Sequence, residues 1–117
     1  CEATGLTNQE LTLFCHLRLL VPLENNQFNE QDTAMGMLLK QSLKLGMDPT
    51  DLEFYPILAK QMVDKELKLR ERHTRDLLFE ENASLTLELT RMARSIRSYV
   101  IDRTMQKKLM EYKGLKQ

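Results

Sequence analysis

Residues 56–113 read PILAKQMVDKELKLRERHTRDLLFEENASLTLELTRMARSIRSYVIDRTMQKKLMEYK, and after Pro56 this stretch holds neither glycine nor proline. Its leucines, methionines and isoleucines recur at spacings of three and four, the period of a helix face. The pattern predicts one very long helix. At about 1.5 Å per residue that helix extends roughly 87 Å, whereas a compact chain of this size has a radius of gyration of about 13 Å. It outruns anything its own chain can cover, so it either folds back or finds its partner on another chain.

The apolar residues of this stretch change face along its length. Tyr55, Leu58, Met62 and Leu69 share one side, while Val63 and Leu67 lie roughly 130° around the helix at about 100° per residue. From Leu78 the pattern simplifies to Leu78, Asn82, Leu85, Leu89, Met92, Ile96 and Tyr99, alternating steps of four and three, with Ala93 and Val100 widening the stripe. That is a heptad seam and the candidate oligomer interface. The register of Val63, Leu67, Arg70 and Thr74 joins it only through two successive steps of four, a stutter that locally unwinds a supercoil. Beyond Tyr99 the seam deteriorates, because Arg103 and Gln106 fall at core positions before Met110.

Two readings of the seam stand side by side. It is an inter-chain coiled coil, or it is the core stripe of a helix in a fold-back bundle. Folding back requires a turn, for which Glu81, Asn82, Ala83 and Ser84 form the candidate segment. Asn82 fits both readings, since it can pair with its counterpart across a dimer or cap a new helix at a break.

Ahead of the long helix the sequence marks its boundaries clearly. Thr7 and Glu10 have capping-box spacing, and the helix they start is expected to end near Pro22. Leu11, Leu13, Phe14, Cys15, Leu17, Leu19, Leu20 and Val21 occupy nearly every side of it, the pattern of a buried helix. The polar stretch 24–27 reads as a loop. A second helix begins at Asn29 or Asp32, both good caps, and closes before Gly46. Its periodic positions are Ala34, Met35, Leu38 and Leu45, with Met37, Leu39 and Leu43 broadening the face. Asp48, Pro49 and Asp51 then form a new helix start, so a short turn is expected at 49–54, with the long helix beginning near Tyr55 or Pro56.

With 42% hydrophobic and 29% charged residues the chain is foldable and not disordered. Net charge is zero, yet residues 1–34 carry five acidic residues against Arg18 alone, a net of −4, and residues 91–117 carry eight basic against two acidic, a net of +6. Such polarity steers a partner or orients two copies of the chain. The chain opens at Cys1 with no charged leader ahead of an apolar stretch, so no signal peptide is expected and the chain reads as a piece of a longer protein. The longest apolar-rich stretch, 11–21, is too short to span a bilayer.

Chemistry finds no foothold in the pattern. Cys1 and Cys15 lack zinc-site spacing and point to a reducing compartment, which gives an intracellular expectation, cytoplasmic or nuclear. His16 and His73 belong to no ligand or nucleophile motif, and Cys15 and His16, adjacent on a helix, point about 100° apart. The carboxylates sit at helix starts or alternate with lysine and arginine, as caps and surface ion pairs. Asn82, Ala83 and Ser84 spell a glycosylation acceptor, which has no meaning without a secretory route. No catalytic residue, metal site or cofactor is expected. Arg91, Arg94, Arg97, Arg103, Lys107 and Lys108 are the candidate contacts to an anion or nucleic acid, although they scatter around the helix and fit a solvated face.

The sequence therefore describes an all-α chain. Short N-terminal helices, residues 1–54, pack on a long C-terminal helix, residues 55–117, which forms an oligomeric coiled coil or helical bundle. The expected function is a non-enzymatic protein–protein interaction and oligomerisation scaffold, a dimer that presents a composite surface to another protein. The seam runs parallel if Asn82 pairs with itself, and antiparallel if the opposed charges of the two ends dominate. The alternative is a nucleic-acid-binding helical module using the basic C-terminal segment.

Overall fold

A computed structural model describes residues 3–23 and 27–116, with side chains placed through Tyr112. Of the loop expected at 24–27, only Gln27 falls inside the described residues. Every extended element among them is helical: α1 Asn8–His16, α2 Glu30–Lys44, a 3₁₀ turn Pro49–Leu52, α3 Phe54–Thr74 and α4 Phe79–Lys116. Contacts divide the chain into two compact units, residues 1–62 and 63–117, with the boundary inside α3.

The first unit is defined by its helix ends. Thr7 Oγ1 accepts from the Glu10 amide at 3.1 Å, and Glu10 Oε1 accepts from the Thr7 amide at 2.9 Å. Asn29 and Asp32 repeat the reciprocal pair at the start of α2, both at 2.9 Å. Asp48 and Asp51 form it again at the 3₁₀ turn. Each pair satisfies amide donors that a helix start leaves free.

The helix ends are just as explicit. α2 stops where Gly46 turns to φ 91° and the Met47 amide reaches back to the Ser42 carbonyl at 3.0 Å, the glycine stop expected from sequence. α1 ends in the same motif, with the Leu19 amide on the Phe14 carbonyl at 2.9 Å, but its left-handed residue is Arg18 at φ 64°. The helix expected to run toward Pro22 therefore closes at His16, six residues early, with a side chain at the position glycine would occupy without strain.

Leu6, Phe14, Leu19, Leu20 and Leu39 form the core of this unit, flanked by Leu11, Cys15, Leu17, Phe28, Met35, Leu43 and Leu52. On α2 the inward row is Met35, Leu39 and Leu43 at steps of four, joined by buried Gly36. Leu38 and Leu45, expected on that face, are exposed, since they lie to either side of a row set by Leu39. Gly36 lets residue 4 approach the helix, because a Cβ there would stand 2.5 Å from Thr4 Cγ2. Lys40 Nζ bridges to Glu10 Oε1 at 3.2 Å and ties α2 to the α1 cap.

The uninterrupted helix expected from Pro56 is instead two helices, α3 and α4, separated by residues 75–78. Pro56 is tolerated as the third residue of α3, where amides lack intrahelical partners. Within the second unit α3 and α4 form a hairpin whose turn lies ahead of the segment 81–84 that looked most turn-like. Four residues fasten it in a closed cycle of hydrogen bonds. Arg70 Nη1 donates to Thr86 Oγ1 at 3.2 Å, and the Thr86 hydroxyl donates to Asn82 Oδ1 at 3.2 Å. Asn82 Nδ2 donates to the Thr74 carbonyl at 3.2 Å, and the Thr74 hydroxyl returns to the Arg70 carbonyl at 2.9 Å. Farther from the turn, Arg97 Nη1 pairs with Glu66 Oε1 at 2.9 Å.

Candidate functional site

The hairpin divides the expected seam into two rows. Asn82, Leu85 and Leu89 are half-buried, as are Thr86, Ala93 and Arg97, all within one arc of α4 at about 100° per residue. Glu66, Arg70 and Thr74 are the α3 residues drawn in with them. The other seam residues stay outside: Leu78 lies in the turn, and Met92, Ile96 and Tyr99 are more than half exposed on the flank of α4.

Between these rows runs an apolar groove of about 200 Å³, lined by Glu66, Leu69, Arg70, Leu89, Met92, Ala93 and Ile96. Leu69 on α3 and Met92 and Ile96 on α4 are exposed, so the apolar lining opens to the surface. At its polar wall the Arg70 Nε is buried and has no hydrogen-bond partner.

Asn82 has a definite job here. Its amide group is spent on Thr74 and Thr86 within its own chain, so in the hairpin it acts as a turn fastener. The seam pattern signalled a special polar residue at this position, while the partners lay eight residues behind it and four ahead.

The candidate anion contacts are dispersed. Arg97 is held by Glu66, and the Arg103 guanidinium stacks over the Tyr99 ring at 4.9 Å from its centroid, a cation–π contact. Arg91, Arg94, Lys107 and Lys108 are exposed along α4. Of the candidates, Arg103 and Lys107 line a common groove, with Tyr99 and Met110, whereas a row of cations not singled out in the sequence, Lys65, Lys68, Arg72 and Arg75, lines one trough along α3 and the turn after it.

A feature missed in the heptad reading lies farther along α4. Ile101, Met105, Leu109 and Tyr112 are all exposed, and their steps of four, four and three put them on the side away from Leu89. Following only the seam beyond Tyr99 hid them, although their own spacing was readable. Every described residue from Ser98 to Tyr112 is exposed.

In the first unit an open trough is lined by Leu11, Thr12, Cys15, His16, Arg18, Leu20, Val21, Pro22 and Phe28. Burial pushes the Cys15 thiol up from its usual value, and Asp32 adds to the effect, so the reactive thiolate is disfavoured. No group of three or more potential metal ligands occurs among the described residues, and no helix among them is long and apolar enough to cross a membrane. Family models, curated proteins and solved structures were compared with the chain, and none matches.

Proposed function

We propose that the chain is a non-enzymatic helical interaction module that self-associates through the second unit and presents the resulting surface to another protein. The observation that carries this reading is the state of residues 63–117. No apolar side chain described there is buried, while Leu69, Met92, Ile96 and Tyr99 stand exposed along a groove and its flank. Each such half-exposed side chain still has about 1 kcal/mol to gain from burial. An amphipathic helix with so little of its stripe covered is marginal alone. A second copy supplies a matching stripe by symmetry, since a two-fold interface uses the same patch on both chains. Typical stable interfaces cover about 800 Å² on each partner, which calls for the stripe from Leu69 and Met92 through Tyr99 and beyond.

The test is absolute mass by light scattering across a dilution series, for the natural chain and for the double variant Met92→Asp, Ile96→Asp. The natural chain is expected to be dimeric at high concentration. The variant, altered only at exposed positions, is expected to be monomeric with its helix content retained. A natural chain that stays monomeric throughout rejects the reading. Nucleic-acid binding has less support, because Arg97 and Arg103 are already engaged within the chain; salt-sensitive binding of a nucleic acid lost on reversing Arg91, Arg94 and Arg97 would favour it instead.

A further inference from the structure

The turn at 75–78 differs from the boundaries that open and close α1 and α2. α1, α2 and the 3₁₀ turn each start with a reciprocal side-chain cap, and α1 and α2 each end on a left-handed residue, Arg18 and Gly46. At 75–78 the sequence is Arg, Asp, Leu, Leu, with no glycine, no proline and no positive φ. Leu78, the residue before α4, has no side-chain acceptor with which to cap it. Local sequence therefore leaves these positions free to continue the helix, and the break is held by contacts between distant residues: the Arg70, Thr86, Asn82, Thr74 cycle and the Glu66–Arg97 pair.

We infer that residues 75–78 are the hinge of an exchanged dimer, in which two chains each straighten α3 and α4 into one helix and trade arms. This rests on the self-association proposed above and names its form. Exchange replaces contacts within a chain by the same contacts between chains. Arg70 with Thr86 and Glu66 with Arg97 can be remade in an antiparallel pair, because both partners lie well away from the hinge on opposite sides of it. The bond from Asn82 to Thr74 of its own chain is lost, since a continuous helix carries the two residues about 12 Å apart and the Thr74 carbonyl then accepts from the amide of residue 78. The intrachain Asn82 bond thus favours the closed hairpin.

Phe79→Pro separates the two states. Residue 79 is the first of α4 and is 87% exposed, so proline there costs the hairpin no intrahelical bond. In a continuous helix the same proline removes a bond and clashes with the carbonyl of residue 75. The experiment pairs light scattering with a spin-label distance between Lys68→Cys and Glu88→Cys. Both are placed in a background carrying Cys1→Ser and Cys15→Ser, and the labelled chain is diluted into unlabelled chain so that only the intrachain distance is read. Labels on adjacent antiparallel helices stand roughly 10 Å apart at the axes, and on one continuous helix about 30 Å apart.

The natural chain is expected to give a dimer with the long distance, Phe79→Pro a monomer with the short one, and Asn82→Ala a larger dimer fraction than the natural chain. A dimer that keeps the short distance, or a Phe79→Pro variant that stays dimeric, overturns the exchange and leaves self-association standing. A natural chain monomeric at every concentration overturns both.

Discussion

Among the described residues, the first unit, 1–62, buries five apolar side chains and caps both ends of α1 and α2, whereas the second, 63–117, buries none and holds its one described turn by polar contacts across the hairpin. The first unit carries its instructions locally: a cap, a helix, a left-handed stop. The second carries a long helical pattern and a few distant hydrogen bonds. The first unit thus has a buried apolar core, and the second leaves its apolar side chains at the surface or half-buried; the proposed self-association assigns their completion to a second copy.

The sharpest way to break the comparison is to empty each core. Phe14 is fully buried, and Phe14→Ala is expected to destabilise the first unit by about 3–5 kcal/mol. Leu89→Ala, at a half-buried position, is expected to cost about 1–2 kcal/mol. Residue-resolved hydrogen exchange under increasing urea checks both, and equal losses would mean that the second unit has a core of its own.

A smaller effect tests the local instructions themselves. Arg18 and Gly46 fill the same left-handed position at the ends of α1 and α2. Arg18→Gly is expected to raise stability by about 1 kcal/mol by relieving the side-chain strain, and Gly46→Ala to lower it by a similar amount. Thermal melts of the two variants should shift in opposite directions. If Arg18→Gly is neutral or destabilising, the arginine side chain is contributing a contact that outweighs its backbone.

The gentlest probe is pH. A backbone hydrogen bond from Thr7 holds the Glu10 carboxyl below its usual value, against some desolvation and with help from Lys40; backbone and hydroxyl bonds from Thr50 do the same for Asp48. A carboxyl lowered in the folded state contributes stability that is present above its ordinary pKa and is lost as pH falls through the lowered one. Acidification below about pH 4 is therefore expected to reduce amide protection first at the starts of α1 and the 3₁₀ turn. Protection at those amides that is unchanged down to about pH 2 would mean the caps contribute little to the unit.

Much of the first unit was legible in the residues. The Thr7 and Glu10 pair, Asn29, Gly46 and the Asp48, Pro49, Asp51 start are local chemistry that acts within three or four residues, and each appears where its spacing put it. Arg18 was not legible, because nothing marks an arginine for a left-handed turn; the core packing of Phe14 against Leu19 and Leu20 outweighs its preference. The break at 75–78 was hidden for a related reason. Its determinants are Arg70, Thr86 and Asn82, whose meaning depends on helices already lying side by side. Leu38 and Leu39 differ by one residue on α2 and trade places between surface and core, a choice that periodicity brackets without deciding.

The Glu66–Arg97 pair joins residues 31 positions apart in sequence, and that separation is also an interval of time. At about 5–20 residues per second of synthesis, roughly 2–6 s pass between the emergence of Glu66 and of its partner. The locally capped helices of residues 1–52 can form in that interval, while α3 waits with its inner face uncovered. In the exchange proposed above, a neighbouring ribosome on the same message would offer an identical α4 on the same schedule, so the order in which the chain is made would set closure on itself in competition with capture by its sibling.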